Sequence, residues 1–144
     1  MEREEKILAE MMGLLEEKGI GRFSEALKRH GMHPEHYGKL DRPDGFGELT
    51  GSCGDTVEMS LRVRNGRVAE SRFTTDGCFF TVAACDAAAA MAEGKSLADC
   101  LRINRSAILE YLENMPGDHH HCADLAARVF HKALRDFVIK KKRP

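Results

Sequence analysis

Val57-Glu58-Met59-Ser60-Leu61-Arg62-Val63-Arg64-Asn65-Gly66 is the stretch that decides the fold. Apolar residues at 57, 59, 61 and 63 alternate with polar ones at 58, 60, 62 and 64, the period of a strand with one buried face. Asn65-Gly66 follows at once, and both residues accept the positive φ that a tight hairpin turn demands. The chain therefore returns antiparallel over residues 67–75, where a less regular alternation predicts a bulge. A lone hairpin is marginal in water. A third strand near residues 46–50, or helix packing, has to complete it.

Downstream of the hairpin the pattern turns helical. Residues 79–93 are rich in alanine and end at Gly94. Ser96-Leu97-Ala98-Asp99 has the form of a helix start running to about residue 103. A further helix over residues 106–113 stops at Pro116-Gly117, and the last begins near His121 with Leu125, Ala126, Val129, Ala133, Leu134 and Phe137 on one face. Upstream, residues 2–18 show helical periodicity that Gly19 and Gly21 break. Ser24 caps a short helix ending at Gly31, and residues 33–47 read as a loop. Strands clustered before helices give an α+β class. The expected architecture is a small antiparallel three-stranded sheet packed against several helices. A helical N-terminal extension, residues 1–32, precedes a domain of residues 33–144.

The bulk composition narrows the function. A chain of 144 residues, 42% hydrophobic and 31% charged, suits one compact domain with a real core. A net charge of -1 argues against a nucleic-acid partner. The basic run Lys140-Lys141-Lys142-Arg143 ends a helix and complements its dipole. No apolar run approaches a membrane span, and Met1-Glu2-Arg3-Glu4-Glu5-Lys6 lacks the features of a signal peptide. The expectation is a cytoplasmic, reducing location with no membrane partner. There, five cysteines point to metal or thiol chemistry rather than disulfides.

Three of those cysteines have settings that suit a metal thiolate: Cys53 in Gly51-Ser52-Cys53-Gly54-Asp55, Cys78 in Asp76-Gly77-Cys78, and Cys122 in His120-His121-Cys122-Ala123. Cys53 lies twelve residues before Asn65 and Cys78 twelve after Gly66, so the hairpin brings both thiols to its open end. Cys78 and Cys122 each sit at a helix start, which favours the thiolate. Asp55 is two residues beyond Cys53 and, in an extended chain, faces the same way. His121 offers a neutral imidazole. Cys85 and Cys100 read as small buried hydrophobes, Cys85 two helical turns below Cys78 on the same face. His119 and His120 read as a solvated loop, and His30, His33, His36 and His131 carry no site signal. Thiolates select zinc, copper(I) or iron–sulfur clusters. Without C-x-x-C spacing a zinc ribbon is disfavoured. A carboxylate beside soft ligands makes one weak bond, which suits a site that gives up what it holds.

Together these pieces resemble the IscU/NifU-type iron–sulfur cluster assembly scaffold family. The matching motifs are Gly51-Ser52-Cys53-Gly54-Asp55, Val68 through Phe73 leading to Asp76-Gly77-Cys78, Gly94-Lys95-Ser96-Leu97, and His121-Cys122-Ala123-Asp124-Leu125-Ala126. They keep their order across residues 36–138. The resemblance implies a transient [2Fe–2S] cluster built on Cys53, Cys78 and Cys122 and passed to apo iron–sulfur proteins, with a cysteine desulfurase as sulfur donor. By position, Asp55 matches the family's labilising aspartate and His121 the histidine beside its last cysteine. Zinc can occupy such sites in the cluster-free form. The chain departs from the family at Phe79-Phe80, where small residues are usual, which suggests a more hydrophobic, better shielded pocket. It departs at Met115-Pro116-Gly117-Asp118-His119-His120, which replaces the stretch that recruits a dedicated chaperone and carries a lysine. Chaperone recruitment is therefore doubtful, and His119 or His120 is a candidate substitute for the lost cation. It also departs at Asp41-Arg42-Pro43-Asp44 and in its extra N-terminal residues.

The role implied is a scaffold or carrier, not an enzyme, since three thiolates leave little Lewis acidity and no clear general base accompanies them. Two alternatives stay open: a structural or regulatory zinc domain using Cys53, Cys78, Cys122 and either Asp55 or His121, and a sulfur carrier accepting persulfide on Cys78 or Cys122.

Overall fold

The structure, a computed structural model, describes residues 3, 4 and 23–142. The helix expected over residues 2–18 lies, apart from residues 3 and 4, outside the described residues. The sheet has three antiparallel strands in the order β1-β2-β3: β1 is Gly45–Thr50, β2 is Thr56–Arg64 and β3 is Arg67–Thr75. Asn65 and Gly66, at φ 53° and 73°, form the expected turn. The register steps between Arg62–Glu70 and Val63–Val68, leaving Ala69 as the extra residue on β3. That is the bulge predicted for the return strand. Val57, Met59 and Leu61 are fully buried as the alternation requires. Ser60, on the opposite face, is buried as well, because the loop before β1 covers it: its hydroxyl accepts from Leu40 N at 3.2 Å.

Five described helices accompany the sheet: α1 (Glu25–Met32), α2 (Phe79–Ala92), α3 (Leu97–Cys100), α4 (Arg105–Leu112) and α5 (His120–Lys141), of which α2 and α5 pack on the strands. Side chains cap three of them, with Ser24, Ser96 and Asn104 each accepting from the amide three residues on. The helix begun at Ser96 is one turn long, shorter than its pattern suggested, because beyond it the amides of Arg102 and Ile103 bond three residues back, to Asp99 O and Cys100 O. Helix α2 is buried on nearly every side, which its run of small alanines permits. Helix α5 lies directly across β1. A Cβ on Gly47 would stand 2.8 Å from both Val129 O and Ala133 N, and one on Gly45 would strike Ala133 O. These two glycines let the helix backbone touch the strand, and so set where the first turn of α5 falls. Among the described residues, no helix is long and apolar enough to cross a membrane.

Helix α1 falls within the stretch assigned to the N-terminal extension, and it shares the core of the rest. Leu27 is fully buried, Phe23 stacks on Phe79 at 6.1 Å, and Gly31 sits so close to the Phe79 ring that a Cβ there would overlap it. A buried polar link adds to this. His30 Nδ1 is 2.5 Å from Asp86 Oδ2 in α2, while Asp86 Oδ1 accepts from His36 N at 2.9 Å. His36 Nε2 meets Glu93 Oε1 at 3.1 Å, and His30 Nε2 meets the Tyr111 hydroxyl at 3.0 Å. Asp86→Ala strands one buried and one partly buried partner at once and is expected to cost about 3 kcal/mol. Urea unfolding checks this; an unchanged midpoint would show that the network contributes nothing net.

Candidate functional site

Sequence counting placed Cys53 and Cys78 at the open end of the β2–β3 hairpin, and that is where they are. Val57 pairs with Thr75 as the last rung, and Thr56 N donates to Asp76 Oδ1 at 2.8 Å, tying the two loops together. Cys78 is the N-cap residue of α2 and is half-buried. Cys122 lies in the first turn of α5 and is 1% exposed. The close approach of α5 to β1 brings this turn over the hairpin's end.

Cys53 and Asp55 do not lie on an extended strand, contrary to the expectation that they face the same way. They occupy a tight turn between β1 and β2, closed by Gly54 N to Gly51 O at 3.0 Å and Gly51 N to Asp55 O at 2.8 Å. The turn separates them. Cys53 is exposed at the rim, while the Asp55 carboxylate reaches inward to Thr81.

Thr81 is the residue that sequence reasoning missed. Fully buried, it sits with its Oγ1 3.0 Å from Asp55 Oδ2, 3.4 Å from Cys122 Sγ and 3.8 Å from Cys78 Sγ. Its one hydroxyl proton goes to either the carboxylate or a sulfur, so a single group couples the acid to both thiols. The signal was available: Thr81 is three residues after Cys78 on a helix and shares its face. Gly77 makes room for this packing, since a Cβ there would lie 2.7 Å from Thr81 Cβ and 2.8 Å from Asp55 Oδ2.

The two inner thiols are electrostatically unequal. Cys78 is lowered to about 5, chiefly because Cys122 Sγ–H donates to its thiolate; backbone amides at Thr81 and Phe80 help, and burial opposes. Cys122 is held far above the usual thiol range by that same hydrogen bond, then by burial and by the neighbouring charges of Cys78 and Cys53. One thiolate and one thiol therefore face each other at neutral pH, and the thiolate is already the form that binds metal.

Two histidines stand near the inner sulfurs. His121 is exposed, with Nε2 3.7 Å from Cys122 Sγ. His119, read from sequence as solvated loop, is instead packed into the site. One of its ring nitrogens and the sulfurs of Cys78 and Cys122 all lie within 4.8 Å of one another, a group of three able to hold a metal ion. The 3₁₀ turn Gly117–His119 folds this ring back over the pocket, and Phe80 stacks on it with centroids 4.0 Å apart. The neighbouring His120 instead donates from Nε2 to Met115 O, 2.9 Å away, and serves the turn. Two thiols, an imidazole and a nearby carboxylate suit a borderline-soft cation or an iron–sulfur cluster. The expected shielding of the pocket by Phe79-Phe80 takes a specific form. Both rings are buried, Phe79 receiving α1 and Phe80 holding His119. Cys85 and Cys100 are fully buried, as read from sequence, and burial raises both thiols.

Known proteins carry the same frame. Residues 22–144 match the family described as the NifU-like N terminal domain. The iron-sulfur cluster assembly scaffold protein IscU 1 of Archaeoglobus fulgidus is 32% identical over 119 residues, covering 82% of this chain and 78% of that protein. The iron-sulfur cluster assembly scaffold protein IscU of Haemophilus influenzae is 32% identical over 124 residues, covering 83% of this chain and 98% of its own. The crystal structure of a nitrogen-fixing NifU-like protein (N-terminal) from Brucella abortus superposes with a TM-score of 0.68 at 19% identity, over 83% of this chain and 95% of that one. This last likeness concerns the fold.

Proposed function

The chain belongs to the NifU-like N-terminal domain family, and from that membership we propose that it is an iron–sulfur cluster assembly scaffold. A transient [2Fe–2S] cluster is its cargo, built on Cys53, Cys78 and Cys122 and released to apo iron–sulfur proteins. The observation that carries this reading is the pairing of the Cys78 and Cys122 thiols in one half-buried pocket, with the Asp55 carboxylate held beside them by Thr81.

Each residue has a distinct part. Cys78 presents a thiolate at neutral pH, so it captures iron without first losing a proton. Cys122 gives up its proton as it ligates. Cys53, exposed on its turn, closes over the cargo from the solvent side. Asp55 supplies a hard oxygen among soft sulfurs, a weak bond that keeps the assembly labile. The protein carries and does not turn over a substrate. A cysteine desulfurase is the sulfur donor, and the five free thiols go with a reducing, cytoplasmic setting. Helix α1, within the N-terminal stretch, packs on Phe79 and belongs to the core of the scaffold domain.

Anaerobic reconstitution with ferric iron and sulfide is expected to give the visible absorption of a [2Fe–2S] centre, and Cys78→Ser is expected to lose it. A colourless product without bound sulfide from the unsubstituted chain would overturn the reading. The same ligands hold zinc in the cluster-free form. Elemental analysis of protein purified without oxygen, together with the effect of a chelator on folding, separates that state from a permanent zinc domain.

A further inference from the structure

We infer that Cys78, His119 and Cys122 form an entry site for a single divalent cation of the iron(II) or zinc class, with His119 and not His121 supplying the imidazole. The inference rests on the scaffold reading of the same pocket and specifies which side chains meet the metal first.

Geometry comes first. The three ligand atoms are already gathered within 4.8 Å, so little rearrangement separates this pocket from a metal-bound one. The exposed Cys53 is not in that group, and the Asp55 carboxylate is engaged by Thr81 at 3.0 Å. Both are placed to join later. His121, though its Nε2 lies 3.7 Å from Cys122 Sγ, is exposed and falls outside the gathered group. His119 precedes the helix, and the 3₁₀ turn is free to aim its ring at the sulfurs.

The second observation is an orphaned atom. His119 Nδ1 is buried and has no hydrogen-bond partner. Buried polar nitrogens almost always have one, because an unmet one costs its desolvation. A cation at the pocket would give the ring the partner it lacks.

A third feature fixes the ring in advance. Phe80 is 2% exposed and lies nearly parallel to the His119 ring, at 29° and 4.0 Å. Phe80 is itself held edge-on by Phe79 at 5.3 Å and by Phe23 at 5.8 Å. The orientation of the histidine is thus built from the core outward, as a preorganised ligand requires. Two thiolates and a neutral imidazole balance the charge of a dication. As each sulfur–metal bond forms, a sulfur still carrying a proton releases it to solvent.

Anaerobic titration with cobalt(II) tests the site. Thiolate-to-cobalt charge transfer reports the sulfurs, and the d–d bands report tetrahedral geometry. The unsubstituted protein is expected to bind one cobalt(II) tetrahedrally. His119→Ala is expected to weaken binding about 100-fold, at the upper end of what losing even a supporting partner costs, and His121→Ala less than about 3-fold. Equal affinity in His119→Ala, or the larger loss in His121→Ala, would overturn the inference. If His119→Ala does not fold, the cobalt(II) form of the unsubstituted protein with isotope-labelled histidine decides it by NMR. A contact-shifted ring signal that persists in His121→Ala supports His119, and one that vanishes there refutes it. Reconstitution with iron and sulfide runs alongside. Normal cluster formation with cobalt binding indifferent to His119 defeats this inference alone. Failed cluster formation with the cation site intact defeats the scaffold reading alone.

Discussion

Asp55→Ala is expected to lengthen the lifetime of the bound cluster about 10-fold and to slow its transfer to an apo-ferredoxin by a similar factor. A tenfold change corresponds to about 1.4 kcal/mol in the barrier to release, a reasonable size for one weak oxygen–metal bond among sulfur ligands. The carboxylate does not reach the pocket by its own backbone. It leaves a tight turn whose other functional residue, Cys53, faces solvent, and it is held inward by Thr81 Oγ1 at 3.0 Å. Thr81→Val keeps the shape and removes the donor. On its own it is expected to reproduce most of the Asp55→Ala effect, and in the double variant to add little. Release rates followed by the decay of visible absorption, together with transfer to apo-ferredoxin, check both. An unchanged rate in Asp55→Ala removes the carboxylate from the mechanism. Full additivity detaches Thr81 from it.

Gly47→Ala is expected to destabilise the fold by about 3 kcal/mol, the upper part of the usual range for an overpacked interior, and to lower the melting temperature by about 10 °C. The added Cβ would lie 2.8 Å from Val129 O and from Ala133 N. Both are backbone atoms of α5, so no side chain can turn aside and the whole helix must lift from β1. That motion also withdraws the first turn of α5, and with it Cys122, from Cys78. Reconstitution yield should therefore fall together with stability. Gly117→Ala is the control, since nothing stands within 4 Å of a Cβ there, and its effect is expected to stay within about 0.5 kcal/mol. Thermal unfolding and cluster yield measured on both variants give the answer. A Gly47→Ala protein as stable as the parent would mean that α5 does not rest on the strand as described.

Most of the frame was legible because it depends on short-range rules. The period-2 run 57–64, the Asn65-Gly66 turn and the irregular return strand are local properties, and each has its counterpart in the structure. The meeting of the Cys53 and Cys78 loops follows from the hairpin alone. Thr81 was legible in principle from its spacing to Cys78. His119 was not, because nothing in the chain around Pro116-Gly117 says that the turn folds its ring back under Phe80. The Phe79-Phe80 pair and the histidine-rich loop looked like two unrelated departures from the family pattern. In three dimensions Phe80 and His119 are one stacked contact.

By itself, then, the sequence determined an α+β frame with two thiols at the open end of a hairpin and a third at the head of the last helix, since strand period, turn chemistry and helix starts are encoded within a few residues. Only the tertiary structure decided that the His119 ring joins the two inner sulfurs and which hydroxyl holds the aspartate. Those choices depend on how far α5 settles onto Gly45 and Gly47 and on which ring Phe80 supports. Such contacts join residues far apart in the chain, where no local pattern records them.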